Sequence, residues 1–329
     1  MSTQTQNTTT LENILDLYIL DRTPSKATIK LLIKIIRIFT NDTGVNQTNK
    51  ITKHVLNLWK YELIQRVRNT TCNSYIRQLK SLILFAVDEE LIDDNPFHKF
   101  RMAKEPSHKY KSISQTNIAQ LISFLEGPEN TLNPSWFWIT VIKTLYYTGI
   151  RRRQLIGLKW SDIDFERHTI LLQSKYSKTS REWMIPLHED IIDELSFLKM
   201  RNKAIYGNND VSLKSRQVFN VTIFNPRYIG NNMTEDQLSG FFRNLSDNTQ
   251  IKCSAHRFRH RLATDLVNQK GNIKDVQHLL GHSNVKTTLG YVSTDLHQIR
   301  STLKTTTPIY PGKPRIPTTP DEPSPPANR

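Results

Sequence analysis

The stretch SAHRFRHRLATDLVNQKGNIKDVQHLLGHSNVKTTLGY, Ser254 to Tyr291, decides how this chain is read. Leu262, Leu266 and Val267 recur at helical spacing after His256, and Val276, Leu279 and Leu280 repeat the pattern further on. Gly271 and Gly281 stand where helices stop, so the text predicts short helices, with a turn and one more short helix carrying Tyr291. His256 and Arg259 are three residues apart, share a helix face and can point at one ligand. His-x-x-Arg also occurs at His98/Arg101 and His297/Arg300, so the pattern alone decides nothing. What distinguishes the copy at His256 is its sequel, Leu280-Gly281-His282 and then Tyr291 nine residues after that histidine.

In that order and spacing the segment resembles the catalytic C-terminus of the tyrosine recombinases, the phage-integrase family, whose pattern is His-x-x-Arg-His, Leu-Gly-His and a nucleophilic Tyr. The resemblance implies a mainly α chain: an all-α N-terminal core-binding domain, then an α+β catalytic domain with a small antiparallel sheet. It implies catalytic roles for His256, Arg259, His282 and Tyr291. Upstream, Thr148-Gly149-Ile150-Arg151 resembles the family's first arginine box, Thr-Gly-Leu-Arg, and selects Arg151. The family's acidic residue three positions on is Gln154 here, an amide that accepts or donates a hydrogen bond but carries no charge. Arg151, Arg152 and Arg153 sit together at a helix start, where the macrodipole disfavours cations, so something anionic should compensate. Either surface carboxylates or DNA phosphate would serve.

Thr169 to Gln173 and Glu182 to Ile185 read as two strands around a Lys- and Ser-rich turn, ended by Pro186. The family carries a catalytic Lys in this hairpin. Counting back from Ile185-Pro186-Leu187 places it at Lys178, with Lys175 as the rival. Residues 189 to 205, 216 to 225 and 234 to 247 read as helix, short strand and helix.

The first part of the chain reads as helices only. Its apolar stripes are Leu11, Ile14, Leu15 and Tyr18; Ile29, Leu32, Ile33, Ile36 and Phe39; Val55, Leu58, Trp59, Leu63 and Ile64; and Tyr75, Leu79, Leu82, Ile83 and Ala86. Asn95-Pro96 stops the run. The layout is similar to the family's core-binding domain. The expected organisation is a disordered start at 1–10, a helical DNA-binding domain at 11–104, a linker at 105–111 within the basic text RMAKEPSHKYK, a catalytic domain at 112–304 and a Pro-rich disordered tail at 305–329. Arg77, Lys80, Lys104 and Arg152 are candidate DNA contacts. A short helix at Leu296 to Leu303 would, by the resemblance, pack on a neighbouring protomer, implying dimers to tetramers on DNA.

Composition agrees with a nucleic-acid partner. Lys and Arg number 45 against 30 Asp and Glu, a formal net charge of +15 that favours a polyanion. No polybasic amphipathic anchor or apolar run of membrane length is present, so no membrane is expected. The polar start MSTQTQNTTT does not read as a signal peptide, and two cysteines, Cys72 and Cys253, suit a reducing cytoplasm, nucleoid-associated, rather than a disulfide framework. Cys253 reads as a small buried residue. There is no Walker loop, Asp/Glu metal cluster or zinc-spaced Cys pair, so no cofactor is expected. The activity that the resemblance implies is site-specific DNA recombination through a 3′-phosphotyrosyl link on double-stranded DNA bearing specific sites. The alternatives are type IB topoisomerase-like relaxation and a catalytically silent DNA-binding protein.

Overall fold

The computed structural model describes residues 9–105, 112–177, 181–207, 210–268, 272–281, 284 and 288. The chain divides into two compact units, Met1–His108 and Lys109–Arg329.

The first unit is built from α1 (Leu11–Arg22), α2 (Lys26–Thr43), α3 (Lys53–Arg66) and α4 (Asn69–Asp88). Thr10, Ser25 and Thr52 each accept a hydrogen bond from a backbone N–H in the first turn of the helix that follows, satisfying donors that a helix start leaves open. α4 is the centre, packed by the other three. Its Ile76, Leu79, Leu82 and Ile83 are fully buried against Ile14, Ile35, Phe39 and Trp59. Two expected core positions are exposed instead: Ile33 and Leu58 face outward, and Ile35 and Leu56 fill the interior. After α4 the chain returns along it. The buried Asn73 side chain exchanges hydrogen bonds with the backbone N–H and carbonyl of Ala103, at 2.9 and 2.8 Å.

The second unit is α5 (Gln115–Glu126), α6 (Ser135–Thr148), α7 (Arg152–Gly157), β1 (Ile163–Asp164), β2 (Thr169–Leu172), β3 (Trp183–Pro186), α8 (Glu189–Tyr206), α9 (Asp210–Lys214), α10 (Glu235–Thr249), α11 (Ala255–Asn268) and α12 (Ile273–Leu280). The strands form one antiparallel sheet in the order β1-β2-β3, with Ile170 opposite both Ile163 and Ile185. α6 is apolar nearly all round, which marks a helix surrounded by others. It packs on α5, α8 and α11, and Trp138 stacks on Phe241 of α10 at 3.9 Å between ring centres. Burying one such ring contributes roughly 1.5 to 3 kcal/mol.

The strand expected within 216–225 does not form. Gln217 makes only an isolated bridge with Lys159, and Val221–Ile223 is a 3₁₀ turn. The backbone pairs only once, Trp160 N donating to Arg216 O and Val218 N to Leu158 O, and then Asn220 Oδ1 accepts from Thr222 N and starts the 3₁₀ turn. The Gln217 amide meanwhile donates to Ile156 O and Met233 O and accepts from Met233 N, tying this segment to its neighbours by a side chain.

Candidate active site

α6 ends at Gly149, whose φ of +59° is the left-handed stop that a glycine accepts without strain. A Cβ there would stand 2.9 Å from a Leu262 methyl and 3.1 Å from a Leu280 methyl. At this one close-packed point the Thr148-Gly149 break, α11 and the end of α12 meet. Arg259, only 2% exposed, is the tie: one guanidinium nitrogen donates to Gly149 O at 2.7 Å and another to Leu280 O at 2.5 Å. A buried guanidinium holds position only if its donors are matched, and two of the five N–H groups are spent this way.

Arg151 immediately precedes α7. Its backbone N–H is held by Gln154 Oε1 at 2.8 Å, and its guanidinium reaches Gly281 O at 3.4 Å. Gln154 is 2% exposed, and its Nε2 finds no acceptor among the described residues. Here an amide replaces the family's carboxylate. The amide oxygen still orients the arginine backbone, while the local charge stays more positive.

Arg151, His256 and Arg259 line one cleft of about 340 Å³ together with Ile150, Arg152 and Tyr176. His256 is exposed on α11 and meets the buried His260 edge-on at 4.2 Å. Although its edge is open to solvent, the ring is partly desolvated by the cleft around it, and that, then the Arg259 and Arg151 charges, lowers the His256 pKa. Burial first, then His256, Arg259 and Arg257, push His260 down to about 4. Both imidazoles are therefore neutral near pH 7, able to accept a proton.

The anion expected beside the arginine run is Glu235 at the start of α10. Its carboxylate lies 2.9 Å from Arg152 Nε and 3.6 Å from Arg153 Nε, and Ser239 Oγ accepts from Arg152 at 2.7 Å. Sequence reasoning missed Glu235 because the pairing is tertiary; the Thr234-Glu235-Asp236 helix start was its only local signal. It also missed Tyr176, an aromatic inside a Lys- and Ser-rich turn. Of the other DNA-contact candidates, Arg77 pairs with Glu105 at 2.9 Å, Lys80 is half-buried and Lys104 is exposed. Cys253 is buried, and burial raises its thiol pKa. Lys178, His282 and Tyr291, with the Leu296–Leu303 helix and the tail, lie outside the described residues. Among the described residues no group of three or more His, Cys, Asp or Glu is placed to hold a metal, and no helix is long and apolar enough to cross a membrane.

A sequence profile of the phage integrase family matches residues 111–297, more than half of the chain. The chain belongs to the phage integrase family. A relative in Pseudomonas aeruginosa named as a XerC tyrosine recombinase is 30% identical over 260 residues, covering 74% of this chain and 59% of its own length. The corresponding Pseudomonas syringae relative is 27% identical and covers 89% and 63% respectively, so the chain spans about three fifths of the length of these relatives. A shorter relative, tyrosine recombinase XerC of Pediococcus pentosaceus, is 26% identical over 77% of this chain and 81% of its own. Among solved structures, the Tn1549 transposon integrase with a circular intermediate DNA superposes with a TM-score of 0.72 at 21% identity, over 90% of this chain and 99% of that one. A lambda integrase dimer bound to a core site gives 0.65 at 20% identity, over 87% and 78%. These two structures carry the same fold as this family member: helical domains with a small antiparallel sheet.

Proposed function

We propose that this family member is a site-specific DNA recombinase that cuts and rejoins double-stranded DNA through a covalent 3′-phosphotyrosyl intermediate. The observation that carries the reading is the convergence on one cleft of Arg151 with His256 and Arg259, which lie 105 and 108 positions further along the chain. Two guanidinium groups and a neutral imidazole suit a phosphodiester, whose non-bridging oxygens gain charge as the nucleophile adds. In the proposed reaction Tyr291 Oη attacks the phosphorus. The P–Oη bond forms, the P–O5′ bond breaks, the phenolic proton leaves to a base such as His256, and Lys178 gives a proton to O5′. His282 adds a donor to a non-bridging oxygen. The ester keeps the energy of the broken bond, so a 5′-hydroxyl from another strand can reverse the step.

The partner is duplex DNA bearing a specific site, gripped also by Arg77, Lys80, Lys104 and Arg152. Two to four copies assemble on paired sites, in the cytoplasm at the nucleoid. The domains proposed for these tasks are 11–104 for DNA binding and 112–304 for catalysis, with 1–10, 105–111 and 305–329 as start, linker and tail. A nicked suicide duplex, which loses its leaving strand after cleavage, tests the chemistry: a covalent protein–DNA adduct is expected, and its absence across a pool of target sequences would leave a silent DNA-binding protein. Joining of two marked duplexes separates recombination from relaxation of a supercoiled plasmid.

A further inference from the structure

The sheet is fastened to the cleft at two places, and both fastenings are an aromatic ring seated on a glycine. Tyr176 ends a 3₁₀ turn that follows β2, and its ring lies on Gly157, the last residue of α7; a Cβ on that glycine would collide with Cγ, Cδ2 and Cε2 of the ring. Trp183, the first residue of β3, is 6% exposed and lies on Gly281 in the same way, while its Nε1 donates to Leu279 O at 3.3 Å. Gly157 belongs to the helix that Arg151 begins. Gly281 is the residue whose carbonyl accepts from Arg151 and ends the helix whose last carbonyl accepts from Arg259. Tyr176 also lines the cleft beside Arg151, His256 and Arg259.

We propose that Tyr176 and Trp183 are positioning residues that seat the two ends of the β2–β3 loop on the helix that Arg151 begins and on the helix end that Arg151 and Arg259 grip, and so fix where the segment carrying the loop's lysine starts and finishes. This rests on the recombinase reading and on Lys178 as the proton donor to O5′. Lys178 follows Tyr176 by only two residues in the chain, so the seat of Tyr176 sets where the segment that carries the lysine begins. A lysine carries roughly 2 kcal/mol of rotamer freedom on a flexible stem. A misplacement of about 1 Å can cost a hundredfold in rate, so the seat of the loop matters as much as the amine. Removing the Tyr176 ring takes away no proton donor to the leaving oxygen; it frees the segment that carries one.

The test compares cleavage by the full chain of normal DNA with cleavage of DNA bearing sulfur at the 5′-bridging position, a leaving group that scarcely needs an acid. Tyr176→Ala is expected to cut normal DNA at least tenfold more slowly than the parent while binding it as tightly, and to come within about threefold of the parent on the sulfur strand. Gly157→Ala, which keeps the ring but fills its seat, and Trp183→Phe are expected to show the same pattern in weaker form. Arg151→Ala should be slow on both strands. Equal loss on both strands in folded Tyr176→Ala and Gly157→Ala proteins, or no loss in either, overturns the proposal. Sulfur rescue of Lys178→Ala without rescue of Tyr176→Ala also overturns it while the recombinase reading stands. If Lys178→Ala itself is not rescued, the proton-donor assignment falls, and the proposal with it.

Discussion

Acid should loosen the core of the second unit through His260, and the size of the effect follows from its surroundings. The imidazole is 6% exposed on α11, 4.2 Å from His256 and close to Arg257 and Arg259, and its pKa falls from 6.5 to about 4 in the fold. Its folded-state pKa is depressed, so the unfolded chain binds the proton more readily. The stability that the neutral ring contributes is complete above pH 6.5 and is lost as the pH falls toward 4. At pH 5 the two pKa values translate into a loss of about 2 kcal/mol, a large fraction of a typical domain's stability. Urea unfolding followed by tryptophan fluorescence at pH 7.5 and pH 5 measures it, with His260→Gln as the reference that cannot titrate. The parent should lose about 2 kcal/mol more than the variant across that interval. Parallel losses in the two proteins would refute the buried neutral imidazole.

Arg259→Lys removes the fork that spans the Gly149 and Leu280 carbonyls, and should cost about 2 to 4 kcal/mol in urea unfolding as well as abolishing adduct formation. Equilibrium DNA binding should weaken steeply with salt, with a log–log slope of −4 or steeper if five or more phosphates are neutralised; a nearly flat response contradicts extensive DNA contact. Glu235→Gln releases Arg152 and Arg153 from their carboxylate and should steepen that slope by about one, as one more phosphate is neutralised. Lys175→Ala, tested beside Lys178→Ala on normal and sulfur-bearing strands, should cut both like the parent; rescue of Lys175→Ala by sulfur would shift the hairpin register by three residues.

The helical character of the first unit was legible because Thr10, Ser25 and Thr52 announce its helix starts and Gly44 one of its ends. Which face each helix buries was less so. α2 carries apolar side chains at 29, 31, 32, 33, 35, 36, 38 and 39, a broad arc of about 220° at 100° per residue in which Ile33 stands at the edge and Ile35 well inside, so a stripe that counted Ile33 and left out Ile35 missed the centre of the buried face. The strand reading at 216–225 failed because Asn220 turns the chain after a single bridge, its side chain accepting from Thr222 N, a local signal that the apolar run around it masked. The site residues on α11 and at Arg151 were findable because spacing along a helix and a Thr-Gly turn are local. Glu235, Tyr176 and Trp183 matter through contacts made only after the chain folds, and the glycines on which the rings sit look in the sequence like ordinary helix ends.

The most direct measurement is the identity of the residue that ends up attached to DNA. After reaction with a nicked suicide duplex carrying the recombination site, digestion with protease and nuclease leaves a peptide–nucleotide conjugate whose mass and fragmentation locate the linkage. A 3′-phosphate ester on Tyr291 is expected, and Tyr291→Phe should bind the same duplex with unchanged affinity and yield no conjugate, since only a hydroxyl has been removed. A conjugate on another residue, a 5′-linked one, or adduct persisting in Tyr291→Phe would contradict that expectation.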